Sequence, residues 1–213
     1  MHIAVAGNIG SGKTTLTEKL AKHYGWQAEF EDVEDNPYLR DFYGDMNKWS
    51  FHLQVYFLNS RFQQIQNIRK SEGTTIQDRT IYEDAYIFAA NLKHSSLIDE
   101  RDYQNYLNLF RSMVNMTQAP DLLIYLRADI PKLVKQIQKR GRDYEDTIRL
   151  DYLKNLNQHY EDWIGSYEEG KLLVIDVNDM DFVAHVEHFS EIVRKVDVEL
   201  NGLFSDRNLG RRD

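Results

Sequence analysis

Gly7-Asn8-Ile9-Gly10-Ser11-Gly12-Lys13-Thr14 is an unbroken match to the pattern G-x-x-x-x-G-K-[ST]. Residue types at this spacing hold phosphate groups. Small glycines let successive backbone N–H groups turn inward around phosphate oxygens, and a helix starting at the end of the loop presents its positive terminus to the same anion. Lys13 supplies a point charge for β- and γ-phosphates, Thr14 a hydroxyl ligand for Mg²⁺, and Thr15 continues the lining of the loop. The alternative, an ordinary Gly-rich turn, does not ask for Lys and Thr at those two positions. The pattern therefore points to nucleoside triphosphate chemistry, with switch, motor and kinase still to be separated.

Three further segments carry groups that suit phosphoryl transfer. Glu29-Phe30-Glu31-Asp32-Val33-Glu34-Asp35-Asn36 is rich in carboxylates, one of which could serve as a general base if held within hydrogen-bond reach of an attacking hydroxyl. The competing reading is a solvated acidic loop. In Gln77-Asp78-Arg79-Thr80-Ile81-Tyr82-Glu83-Asp84, Asp78 could hold Mg²⁺ and Arg79 bridge substrate and phosphate, unless the two form a structural ion pair. Lys139-Arg140-Gly141-Arg142-Asp143-Tyr144-Glu145 reads as a lid whose cations Arg140 and Arg142 close over developing charge, although arginine at a helix C-terminus also answers the helix dipole. A GTPase switch is disfavoured: Asp41-Phe42-Tyr43-Gly44 matches D-x-x-G only as letters in a loop segment, and Asn47-Lys48-Trp49-Ser50 fails N-K-x-D at its last position.

The elements that must position these residues follow from periodicity. Ile3–Ala6, Ala28–Val33, Thr74–Gln77, Leu122–Leu126 and Leu172–Ile175 are short apolar runs of strand length. Between them, helical spacing covers Thr14–Tyr24, Asn47–Arg69, Tyr82–Leu92, Asp102–Met116, Ile130–Lys139, Arg149–Tyr167 and Phe182–Leu203. Strands apolar on both faces and joined by helical crossovers predict an α/β, three-layer fold of the phosphate-loop kinase type. It has a five-stranded parallel sheet flanked by helices and a short Arg-rich lid at about residues 139–147. In such sheets ligands bind at the C-terminal ends of the strands, where the phosphate loop, the acidic segment and Asp78-Arg79 fall.

The 213 residues suit one domain, read as 1–205 with 206–213 as a frayed tail. A formal net charge of −8 is a poor fit to a protein that wraps nucleic acid, and no run approaches the ~18 apolar residues needed to cross a bilayer. Met1-His2-Ile3-Ala4-Val5-Ala6-Gly7 has no basic stretch of the kind that opens a secretory signal. The absence of cysteine fits a reducing compartment, so a cytoplasmic protein is expected, with no nucleic-acid or membrane partner.

Taken in order, these segments resemble the deoxynucleoside kinase family, which includes deoxycytidine, deoxyguanosine and bacterial deoxyadenosine kinases. The resemblance runs from Ile3 to about Val193. It rests on the phosphate loop, Glu31, Phe51-His52-Leu53-Gln54 through Ser60-Arg61, Asp78-Arg79-Thr80, Tyr86-Ile87-Phe88-Ala89, Arg140-Gly141-Arg142 and Asp176-Val177-Asn178. It implies ATP as phosphate donor, Mg²⁺, and a small deoxynucleoside as acceptor. By the same resemblance Glu31 matches the base for the 5′-hydroxyl, Gln54 the amide that pairs with the nucleobase, and Arg61 with Asp84 a charged pair at the base edge. Phe88 matches the contact to the base face, Tyr43 and Glu145 the partners of the sugar 3′-hydroxyl, and Arg79 the arginine beside the transferred phosphate. The turn that includes Asp179, Asp181 and Phe182 matches the wrap around the adenine of ATP.

Three positions depart from the family pattern. Asp32 replaces the usual proline, which leaves Glu34 as an alternative base; Asp78 is one methylene shorter than the usual Glu; and Leu53 lacks the ring that some members place beside the Gln. The Arg61/Asp84 pair favours deoxyadenosine or deoxyguanosine, with deoxycytidine next. In relatives the helices matching Asn47–Arg69 and Asp102–Met116 pack a homodimer. Two other readings stay open at this point: a kinase of nucleoside monophosphates such as thymidylate, and a catalytically poor nucleotide-binding subunit of a heteromeric kinase.

Overall fold

The structure, a computed structural model, describes residues 1–30, 36–142 and 148–202, so Glu31, Asp32, Glu34, Glu145, the middle of the expected lid and the tail 206–213 lie outside the described residues. Five strands, β1 (His2–Gly7), β2 (Gln27–Glu29), β3 (Thr75–Asp78), β4 (Leu122–Arg127) and β5 (Lys171–Asp176), form one sheet in the order β2-β3-β1-β4-β5. Every pairing is parallel. The flanking helices are α1 (Lys13–Tyr24), α2 (Leu39–Gly44), α3 (Met46–Lys70), α4 (Ile81–Glu83), α5 (Ala90–His94), α6 (Glu100–Val114), α7 (Ile130–Arg140), α8 (Leu150–Gly165) and α9 (Val186–Asn201).

β1 lies at the centre of the sheet because both of its faces can be buried. Successive side chains alternate between faces. Ile3 and Val5 join Leu16, Leu20, Ile124, Ile192 and Val196 in one core. Ala4 and Ala6 meet Leu58, Ile81, Tyr125, Leu156 and Tyr160 in the other. The small alanines leave room for the aromatic rings on that second face. A third apolar cluster of Phe42, Leu53, Leu92 and Ile98 joins α2, α3 and α5 beside the sheet. Register then sets the site: Val5 stands opposite Asp78 and Gly7 opposite Leu126, so Asp78 ends its strand beside the root of the phosphate loop.

Several elements differ from the periodicity reading. Within the described residues β2 is only Gln27–Glu29, not Ala28–Val33; as an edge strand it needs to match β3 on one side alone. α2 was not anticipated, being six residues long and too short for a periodic signal. The expected helix over Tyr82–Leu92 is α4 and α5 joined by a π-helical segment, Asp84–Ala89. α9 starts at Val186 rather than Phe182, because the Asp181 carboxylate accepts from the N–H groups of Val183 and Ala184 and holds the chain in a turn instead of a helix. No helix among the described residues is long and apolar enough to cross a membrane.

Candidate active site

β1 runs straight into the phosphate loop, and α1 begins at Lys13 with Gly12 as its N-cap at φ +96°. A Cβ at Gly12 would stand 2.9 Å from Cζ of Phe182, and one at Gly10 (φ +85°) 2.8 Å from the carbonyl oxygen of Leu133, so glycine is demanded by both conformation and space. The loop is fastened to the fold through Asn8. Its Nδ2 donates to the Leu153 carbonyl (3.2 Å) and to Asn157 Oδ1 (3.1 Å) on α8, and its own carbonyl accepts from Lys13 Nζ at 3.0 Å. Ile9 packs between the two cores. Ser11 Oγ is buried with no hydrogen-bond partner among the described residues, and is available to a phosphate oxygen.

At the end of β3 the Thr14 hydroxyl donates to Asp78 Oδ2 at 2.5 Å. The other carboxylate oxygen, Oδ1, is buried with no hydrogen-bond partner among the described residues. An ionised carboxylate in that position calls for a cation or a water, and with Thr14 it forms an all-oxygen pair suited to a hard divalent ion. The donor set therefore fits Mg²⁺.

Arg79 follows at φ +71°, a conformation that residues with a side chain seldom adopt. Its backbone N–H donates to the Val5 carbonyl at 2.9 Å. The guanidinium sits 4.4 Å from the centre of the Phe88 ring and donates from an Nη to the Tyr160 hydroxyl at 3.5 Å. Of the expected base-recognition groups, Gln54 and Arg61 stand two turns apart on one face of α3, about 10 Å along the axis. Gln54 is 3% exposed and its Oε1 has no hydrogen-bond partner among the described residues. Arg61 and Asp84 form an ion pair at 3.5 Å with side chains 2% and 3% exposed. Arg61 also donates to the Asp78 carbonyl (3.2 Å) and to Gln64 Oε1 (3.3 Å), which links the Arg61/Asp84 pair to the end of β3. The π-helical register carries Asp84 to Arg61 and Phe88 to Arg79. A π segment of this kind often marks a functional site. Tyr43 is half-buried with its ring edge-on to Phe42 at 5.2 Å, in the cluster that contains Leu53.

On the other side of the loop lies a cavity of about 420 Å³ lined by Gly10, Ser11, Gly12, Lys13, Thr14 and Thr15 together with Arg140, Arg142, Asp181 and Phe182. It thus joins the loop, the two expected lid arginines and part of the turn expected to hold adenine. Gly141, in a left-handed C-cap, ends α7 and separates the two arginines. Phe182 is buried against Gly12 as part of a core, while Asp179 is not among the residues lining the cavity. The Asp181 carboxyl lies below its usual range, because the Ala184 N–H bonds to it and its neighbours add to the effect. That bond makes Asp181 a turn-builder as well as a wall.

The sequence reading did not single out some residues of this site. Lys132 and Gln136 line the same cavity, and Lys132 Nζ donates to the carbonyls of Met180 (2.7 Å) and Asn178 (3.3 Å), tying α7 to the turn. No motif marks Lys132 in the sequence, and only the fold brings it to the turn.

The family model described as "Deoxynucleoside kinase" matches residues 3–201. The chain is 44% identical over 182 residues to a deoxyadenosine kinase of Dictyostelium discoideum, covering 85% of this chain and 74% of the relative. It is 39% identical over 197 residues to a deoxyadenosine/deoxycytidine kinase of Bacillus subtilis, covering 91% and 90%. A solved structure of deoxyadenosine kinase from M. mycoides, with products dCMP and a flexible dCDP bound, is similar with a TM-score of 0.83 at 31% identity, over 92% of this chain and 99% of that one. The chain belongs to the deoxynucleoside kinase family and is a phosphotransferase acting on a deoxynucleoside.

Proposed function

We propose that the chain transfers the γ-phosphoryl group of ATP to the 5′-hydroxyl of a deoxynucleoside, with deoxyadenosine or deoxyguanosine favoured and deoxycytidine next. The observation that carries this reading is the junction of two sites at Asp78. Its carboxylate bonds Thr14 of the phosphate loop, while its backbone carbonyl accepts from Arg61 of the buried base-edge pair. A donor on one side and an acceptor on the other thus meet at one strand end.

In this mechanism Glu31 takes the 5′-hydroxyl proton as the oxygen attacks the γ-phosphorus. The bond to the β-phosphate oxygen breaks, and ADP leaves with its electron pair. Lys13, Arg79, Arg140 and Arg142 hold the phosphoryl oxygens in line, so the catalysis is positioning and electrostatics. Thr14 and Asp78 would hold Mg²⁺, which supplies charge neutralisation at the donor phosphates when bound. Gln54 offers both an acceptor and a donor to the base, Phe88 its ring face, and Tyr43 with Glu145 a grip on the sugar 3′-hydroxyl. A nucleoside monophosphate is a poor acceptor here, since Asp78 and Glu31 would repel its phosphate.

The base-edge assignment is tested by removing both charges together, which avoids stranding one buried ion. Arg61→Met with Asp84→Ala moves the ratio of kcat/KM for thymidine over deoxyadenosine upward by about tenfold or more, the scale on which a hydrogen-bonding pocket discriminates. An unchanged ranking of the deoxynucleosides removes the pair from the base edge. The exposed apolar side chains of Tyr86, Leu109 and Met116, with Tyr86 edge-on to Phe110 at 5.4 Å, support a homodimer through α6 and its neighbours. The cysteine-free composition supports work in the reducing cytoplasm.

A further inference from the structure

Glu83 is a carboxylate with 0% exposure, at the end of the short α4 that follows Arg79. Its two oxygens do different work. Oε2 closes a capping box, accepting from the Thr80 N–H (2.7 Å) and hydroxyl (3.2 Å). Oε1 turns away from that helix and accepts from the Tyr160 hydroxyl on α8 at 2.7 Å and from the Gly7 N–H, at the root of the phosphate loop, at 3.4 Å. The Tyr160 hydroxyl in turn accepts from the Arg79 guanidinium at 3.5 Å.

A cation therefore donates to a phenol, which donates to a carboxylate, and the same carboxylate oxygen holds an amide of the phosphate loop. Chains of this sense polarise each member, and in a buried setting they fix direction strongly. Burial of the hydroxyl, together with the nearby Glu83 charge, pushes the Tyr160 phenol well above its usual range, so it stays a proton donor to Glu83 throughout the working pH range. The capping box alone does not require this charge. A neutral amide could serve α4, and burying an ionised carboxylate is costly unless opposite charge compensates it. Here the compensating charge is that of Arg79, reached through one hydroxyl. Arg79 itself is held in an uncommon backbone conformation, with the Phe88 ring supporting its guanidinium through the ring face.

We propose that Glu83 and Tyr160 are positioning residues that aim the Arg79 guanidinium at the transferred phosphate and keep it in register with the phosphate loop through Gly7. This rests on the reading of Arg79 as an arginine of the transfer step. Both act through Arg79 and the loop.

The test is a double-mutant cycle on the full chain, followed by kcat and KM for ATP and for deoxyadenosine. Tyr160→Phe keeps the ring, which stacks on Tyr125 at 5.8 Å, and removes only the hydroxyl. It lowers kcat by about 10- to 100-fold, the scale of an ångström-level misplacement, while both KM values stay within about threefold. Glu83→Gln, which retains an oxygen acceptor, lowers kcat in the same direction and serves if Tyr160→Phe folds poorly. In an Arg79→Ala background, Tyr160→Phe produces no further loss of kcat. If Arg79→Ala loses activity but Tyr160→Phe and Glu83→Gln leave kcat at the wild-type value, the positioning proposal is overturned and the reading of Arg79 stands. Losses that simply multiply in the double variant also overturn it, since the two groups then act independently. If Arg79→Ala itself keeps full kcat, the parent reading of Arg79 fails and the proposal falls with it.

Discussion

Lys13→Ala lowers the single-turnover rate of phosphoryl transfer by about 10³-fold or more, the range over which removal of a preorganised cation or donor at a transferring group is felt. The ammonium group is buried inside the loop, where it donates to the Asn8 carbonyl at 3.0 Å. In that water-poor setting its charge acts on the donor phosphates with little screening. The fold survives the substitution, because the loop remains fastened to α8 through the Asn8 side chain and to the sheet through β1. A rapid-quench measurement at saturating ATP and deoxynucleoside checks this; a loss smaller than tenfold would remove Lys13 from the transition state.

Glu31→Gln gives the second large effect, a fall of roughly 10²- to 10⁴-fold in the chemical step with ATP affinity little changed, the usual scale for losing a general base. Glu31 lies outside the described residues, so its role comes from the resemblance. The residue before it is nonetheless anchored: Gln64 Nε2 donates to the Phe30 carbonyl at 2.7 Å. The other end of the same Gln64 side chain accepts from Arg61 at 3.3 Å and from Gln77 at 3.1 Å, so the segment entering Glu31 is tied to Arg61. Glu34→Gln, run in parallel, separates the two carboxylates. A near-normal single-turnover rate for Glu31→Gln beside a collapse for Glu34→Gln would transfer the role to Glu34.

What could be read along the chain was what depends on near neighbours in sequence. The phosphate loop is a run of eight residues whose types are dictated by one ligand and one turn, so it could be read directly. The parallel sheet was legible because β1 and β4 are buried on both faces and carry the unbroken apolar runs Ile3–Ala6 and Leu122–Leu126. The strand ends Asp78 and Arg79 could be picked out because charge there has no packing purpose. The π-helical segment was hidden, since inserting a wider turn leaves the apolar pattern of Tyr82–Leu92 almost helical while it swings Asp84 and Phe88 into the site. Glu83 and Tyr160 stand 77 positions apart, and Asn8 and Asn157 stand 149 apart. Pairs of that kind have no local pattern at all; they exist only once β1, α4 and α8 are packed together. Phe182, which lines the cavity, has a second contact that no local pattern shows. Its position in the turn is as expected, but its ring fills the space over Gly12 that the absence of a Cβ leaves open, so it shapes the loop from within a core.

Catalysis by this chain alone is the central point to test. The direct measurement is the transfer of label from γ-labelled ATP by the purified protein to each of the four deoxynucleosides in the presence of Mg²⁺, with the position of the new phosphate identified. The expected result is formation of the 5′-monophosphate, fastest with deoxyadenosine or deoxyguanosine, slower with deoxycytidine and slowest with thymidine. Bound ATP with no labelled deoxynucleoside product would contradict it and identify the chain as a nucleotide-binding subunit that needs an active partner.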